Sequence, residues 1–253
     1  RSEDAKAADR FVKNAAMPFA EVDALWQRLA KADDTPRTRE VLKRLRQPGA
    51  LTDALPTSRA VRERLCLHLA MYTSKDDELG AGFRHDEALR LLADELDLED
   101  PRRDGDAEVL GIAAGIHKRR WDDLGQLEDL RAAAALYTRG AGADLGKDAY
   151  AHINAAFLDD LLAKLGDAPQ ARRRNAATLR LAIVEHLVAK PHDWFNLATR
   201  VEALFGLRRY GEAAALLTVN PLQPAPWQAQ TTARQLARLA HLLEPEPGAL
   251  PEV

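Results

Sequence analysis

Four cations carry the chemistry that this sequence offers to a small anion. Lys118 and Arg119 close a strip of small residues, Gly111, Ala114 and Gly115, that lies within about one third of a helix circumference. Glycine inside a helix costs roughly 0.5 to 1 kcal/mol relative to alanine, so something approaches this backbone closely. It is either another helix or a small anionic ligand held by Lys118 and Arg119. Arg84 stands near a helix start, where a positive charge is poorly placed for the helix dipole and points to a partner. Lys75 stands at a helix end, where complementing the dipole by roughly 0.3 to 1 kcal/mol is reason enough for it. Asn154 falls inside an apolar helix, and a buried amide must find partners. It serves as a clamp between helices or as a ligand contact.

These residues need helices to position them. Asp106 is an N-cap, no proline follows before Trp121, and Leu110, Ala113, His117 and Trp121 recur at helical spacing, so residues 106 to 121 read as a helix with one buried face. Residues 1 to 17 form a charged, alanine-rich linker helix closed at Met17-Pro18. Residues 19 to 32 and 36 to 46 are amphipathic, with Val22, Leu25, Trp26 and Leu29 on one stripe and Val41, Leu42 and Leu45 on the other. Thr57 or Ser58 caps a helix ending near residues 73 to 76, and further helices cover 83 to 96, 126 to 140, 147 to 165 and 168 to 188. In the last of these, Arg172 to Arg174 read as a solvated face. A helix starting at Pro191-His-Asp193, a short helix ending before Pro221, and a helix from Trp227 to Leu243 complete the series, with a loose Pro/Glu-rich tail after it. The domain boundaries are therefore 1–18 for an N-terminal linker or helix, 19–243 for the main domain and 244–253 for the tail.

Composition sets the class. The 253 residues are 46% hydrophobic, with alanine and leucine dominant and β-branched residues sparse, and the period is 3.6 almost throughout, so the fold class is all-α. With 36 basic and 39 acidic residues, the net charge of -3 argues against a nucleic-acid polymer as partner. Cys66 has no partner for a disulfide and fits a reducing cytoplasm. No apolar run reaches the roughly 18 residues that a membrane span needs, and no signal-peptide pattern opens the chain. The start at Arg1 reads as part of a longer polypeptide.

Three helix pairs, 107 to 140, 147 to 188 and 193 to 218, have alanine-rich first helices and short links, which predicts a tetratricopeptide-like solenoid of antiparallel pairs. The stretch Phe205-Gly-Leu-Arg-Arg-Tyr-Gly-Glu-Ala-Ala214 resembles a tetratricopeptide turn, with small residues at the helix crossing and the tyrosine closing the pair. Several separated motifs together resemble the TPR-S or TRAFs-binding-domain family of bacterial defence proteins and apoptosis signal-regulating kinases. They are Thr73 to Asp76 with Arg84; Glu108 to Gly111 leading to His117 to Trp121; Tyr150 to Phe157; Trp194 to Glu202; and Trp227 through Gln235. The sequence departs from the family where Ser74 and His117 stand at usually aromatic positions and His152 replaces a usual glycine.

The resemblance implies a non-catalytic sensor, with no cofactor. Its ligand would be an NAD-derived nucleotide messenger, such as a cyclic ADP-ribose isomer or an ADP-ribose-like molecule made by a TIR-type enzyme. Binding would switch on a fused or partner effector, such as a caspase-like protease, in a bacterial cytoplasm, through helix packing or homo-oligomer formation. Lys75, Arg84, Lys118 and Arg119 suit a pyrophosphate; Trp194, Tyr150 and His117 suit stacking on a base; Asn154, Thr199, Glu202, Thr231 and Gln235 suit ribose hydroxyls and base edges. The competing function is a protein-interaction scaffold that takes a peptide or partner helix. A closed polar pocket at Asn154, Thr199 and Gln235 favours the sensor, and an open apolar groove the scaffold. An enzyme ranks third: the serines are only Ser2, Ser58 and Ser74, and neither a metal-ligand spacing nor a phosphate loop is present.

Overall fold

A computed structural model describes residues 2–56, 58–142, 145, 149–187, 193–219 and 222–244. The fold is an all-α helical repeat. Its helices are α1 (Glu3–Val12), α2 (Phe19–Lys31), α3 (Thr35–Leu45), α4 (Arg59–Lys75), α5 (Ala81–Glu95), α6 (Ala107–Leu124), α7 (Leu127–Ala141), α8 (Tyr150–Lys164), α9 (Pro169–His186), α10 (Trp194–Gly206), α11 (Tyr210–Val219) and α12 (Pro226–Leu243). Among the described residues no strand forms, and an isolated bridge between Met17 and Leu51 is the sole β pairing. Thr57, Pro191, His192, Pro221 and the tail after Glu244 lie outside the described residues.

Local chemistry places the helix ends. Side chains of Ser2, Asp34, Ser58, Asp106 and Asp193 accept backbone N–H bonds at the starts of α1, α3, α4, α6 and α10. The expected α6 start at Asp106 is thus a capped one, with Val109 N donating to Asp106 Oδ1 at 3.0 Å.

The chain divides into two compact units. The first comprises residues 1–101 and 115–129, the second 102–114 and 130–253, so the division runs through α6 and α7. In the first unit α1 packs on α2 and α3, α3 on α4, and α4 on α5. The expected stripes meet in one core of Val22, Leu25, Trp26, Leu29, Val41, Leu42 and Leu45 with Leu65 and Leu69. The N-terminal segment is a helix whose Ala8 and Phe11 are buried in that same core. In the second unit α8 packs on α9, α9 on α10, and α10 on α11 and α12, around Ile153, Ile183, Val184, Leu197, Val201 and Leu204. Phe205 and Tyr210 meet edge to face at 4.9 Å across the α10–α11 turn, the closure expected of a tetratricopeptide pair. The Arg172 to Arg174 run is not uniformly solvated: Arg172 is half-buried and pairs with Asp159 at 2.7 Å, because α9 lies along the buried acidic edge of α8.

Candidate functional site

In the first unit α4, α5 and α6 gather cations. Arg119 Nε on α6 donates to Ser74 Oγ on α4 at 2.9 Å, and Ser74 Oγ lies 3.1 Å from His85 Nδ1 on α5. His85 Nε2 lies 2.8 Å from Asp123 Oδ2, and Arg84 Nη2 donates to the same carboxylate oxygen. A carboxylate only accepts, so His85 carries its proton on Nε2, leaving Nδ1 to accept from the Ser74 hydroxyl. Ser74 and His85 are both 0% exposed. Burial holds the His85 imidazole below its ordinary value despite the pull of Asp123. Partial burial works against ionisation of Asp123, yet hydrogen bonds from Arg84 and His85 keep its carboxyl below the usual range.

Lys75 completes this cluster. It is exposed at the end of α4, and desolvation together with the positive charge of Arg119 lowers its pKa. Its Nζ sits 5.5 Å from the centroid of the Tyr72 ring. His117, half-buried on α6, places Nδ1 2.8 Å from Asp129 Oδ1, and Arg120 bridges Asp86 at 3.0 Å and Asp129 at 3.2 Å. Lys118 is half-buried on the same stretch. Two of the three positions that depart from the family pattern, Ser74 and His117, therefore hold polar links.

Hydroxyl, imidazole and carboxylate here follow the order of a nucleophilic triad. The Ser74 oxygen is sealed from solvent and already accepts from Arg119, so it is not presented to a substrate.

The second unit holds the other expected site residues. The close approach at Gly111 is made by a side chain: a Cβ there would stand 3.3 Å from the Tyr150 ring. The Tyr150 hydroxyl lies 3.3 Å from that of Tyr137, and the ring remains 48% exposed. Asn154 Nδ2 donates to Tyr150 O within α8 at 2.9 Å, so this amide bonds along its own helix. Trp194 Nε1 donates to Thr232 Oγ1 at 3.2 Å, and Gln235 Nε2 donates to Glu202 Oε1 at 3.1 Å, each joining α10 to α12. Thr199 is buried on α10; Thr231 is exposed, its hydroxyl donating to Trp227 O. Arg238 on α12 lies 5.4 Å over the Phe157 ring of α8. The structure thus assembles the expected cations Lys75, Arg84 and Arg119 in the first unit, and pairs Glu202 with Gln235 in the second.

Residue spacing did not reveal His85, Asp123 or Asp129, nor the buried pair Asp160 and Arg180, whose Oδ2 and Nη1 stand 2.6 Å apart. A signal for the pair existed: Asp159-Asp160 interrupts an otherwise apolar helix, where an acid needs a partner. Arg180, 2% exposed, lies against Gly206, where an added Cβ would meet its Nε at 2.2 Å. That glycine exists to admit a guanidinium.

Among the described residues, cavities open in the first unit. One of about 420 Å³ is lined by Leu69, Leu79, Phe83 and Leu91 with Arg39, Lys43, Arg46, Glu40 and Glu87 around them. Another, of about 410 Å³, lies between α1 and α3 beside Asp9, Arg37 and Glu78. Among the described residues no helix is long and apolar enough to cross a membrane.

Antiparallel helix pairs, one of them closed by a turn tyrosine, define a tetratricopeptide-type helical scaffold. The family model for Tetratricopeptide Repeats-Sensor, TPR-S, matches residues 20–159, more than half of the chain, and the chain belongs to that family. The match begins at α2, earlier than the motifs from residue 57 onward, and ends within α8, so Trp194, Thr199, Glu202, Thr231 and Gln235 lie beyond it. No curated protein matches the chain, and no solved structure does.

Proposed function

We propose that this chain is the ligand-sensing domain of a bacterial antiviral immune protein. It binds an NAD-derived nucleotide messenger, a cyclic ADP-ribose isomer or an ADP-ribose-like molecule, and activates a fused or partner effector such as a caspase-like protease. It acts in the cytoplasm and catalyses no reaction itself. The observation that supports this reading most is the gathering of Lys75, Arg84 and Arg119 within the TPR-S match: desolvation and the charge of Arg119 already lower the proton affinity of Lys75, and an anion placed among these cations relieves that cost. Lys118 adds a fourth charge on α6.

The test is calorimetric titration with ADP-ribose, cyclic ADP-ribose isomers, NAD and a cyclic dinucleotide, repeated on Lys118→Ala and Asn154→Ala. Micromolar binding of one NAD-derived ligand that both variants lose supports the sensor; silence across the panel in a folded, monodisperse sample rejects it. One observation favours a scaffold as the second reading: the groove of about 420 Å³ has an apolar floor of Leu69, Leu79 and Leu91, an exposed Phe83, and charges of both signs at its rim. Tetratricopeptide domains generally mediate protein–protein contacts, and such a groove suits an amphipathic partner helix. Binding of a partner that Phe83→Ser abolishes, with no nucleotide bound, would establish it.

A further inference from the structure

We propose that His85 is a positioning residue that fixes the two guanidinium groups of the anion site, Arg84 and Arg119, by bonding a different holder of each arginine at its two ring nitrogens. Where the arginines are taken to serve a nucleotide, the inference rests on the sensor reading. Nδ1 takes the hydroxyl of Ser74, whose oxygen accepts from Arg119; Nε2 holds Asp123, whose carboxylate accepts from Arg84. One ring thus joins α4, α5 and α6. A flexible arginine loses much of its side-chain freedom when it grips an anion, and a guanidinium already held at Nε or at one Nη loses less on binding. The charged groups coupled to His85 are Arg84 on its own helix and Arg119 and Asp123 on α6; from α4 it meets Ser74. Its burial keeps the ring neutral, the state in which Nδ1 accepts while Nε2 donates. Leucine or phenylalanine would fill the same space without either bond.

The test compares His85→Phe, which removes both bonds, with His85→Gln, whose amide can donate to Asp123 and accept from Ser74. The first readout needs no ligand: the side-chain Nε–H of Arg119 should be slow to exchange in the wild-type protein, faster by about tenfold in His85→Phe, and near wild-type in His85→Gln, because Ser74 loses the acceptor that orients its hydroxyl beneath Arg119. Titration with ADP-ribose should show about tenfold weaker binding in His85→Phe and recovery in His85→Gln. Equal Arg119 exchange in all three proteins overturns the inference, whatever binds. If ADP-ribose binds none of them while Arg119 exchange follows the expected order, the messenger reading fails and the positioning role stands. Should His85→Phe fail to fold, Ser74→Ala replaces it: faster Arg119 exchange supports the linkage, and unchanged exchange overturns it.

Discussion

Arg119 in the first unit and Arg180 in the second are both held across a helix interface, yet they meet opposite ends. Arg180 is 2% exposed, pairs with Asp160 and lies against the backbone at Gly206. Arg119 is half-buried and binds a neutral hydroxyl, so its charge is not cancelled at that contact. A buried charge must be neutralised where it sits, because desolvation in a low-dielectric interior costs several kcal/mol per ion. A partly solvated charge needs no such neutralisation and can be oriented by a neutral hydrogen bond. The comparison separates an arginine buried against a carboxylate from one that is half-buried and oriented by a hydroxyl.

The sharpest way to break the comparison is Asp160→Ala. It strands the Arg180 guanidinium and should lower the free energy of unfolding by about 3 to 5 kcal/mol, measured by urea denaturation. Gly206→Ala attacks the same arginine from the other side; crowding its Nε should cost about 1 to 3 kcal/mol in the same assay. In the first unit Ser74→Ala removes an acceptor from Arg119 and a donor from His85, and should cost about 1 to 3 kcal/mol. A loss equal to that of Asp160→Ala would erase the distinction between the two arginines.

Acid should act on the first unit through its histidines. Burial holds both His68 and His85 below the ordinary imidazole value of 6.5, so the unfolded chain takes up protons first as pH falls. The stability that their neutral forms contribute is complete above pH 6.5 and is lost as pH drops through the folded-state values. Urea midpoints measured from pH 7.5 downward should decline in that window, and less steeply in His85→Gln. The smallest effect belongs to Gly111→Ala. Its methyl would press the Tyr150 ring at 3.3 Å while improving helix propensity, so a net change within about 1 kcal/mol is expected from thermal unfolding.

Much of the fold was legible in the sequence. The stripes Val22–Leu25–Trp26–Leu29 and Val41–Leu42–Leu45 are buried together as the period of 3.6 requires, and Asp106, Ser58 and Asp193 cap the helices they precede. The site was legible only by residue type. Residue type and helix position single out Lys75, Arg84 and Arg119 as cations, whereas the link that His85 makes between the partners of Arg84 and Arg119 arises only from packing. Asn154 donates to the carbonyl one turn back, a bond that its position inside the helix allows and its residue type alone does not specify. Glu202 and Gln235, selected as separate ligand contacts, bond each other.

The sequence by itself determined where helices start and stop, which face of each is apolar, and that they pair as tetratricopeptide-type repeats. Those properties rest on energies between residues a turn apart: side-chain caps, backbone propensity and the helical period. The tertiary structure alone decided which polar residues become partners. Ser74 meets His85 and Arg119, and Asp160 meets Arg180, because of how the helices cross and stagger. Periodicity states which side of a helix a residue occupies; only the packed interface places an acceptor within about 3 Å of a particular donor.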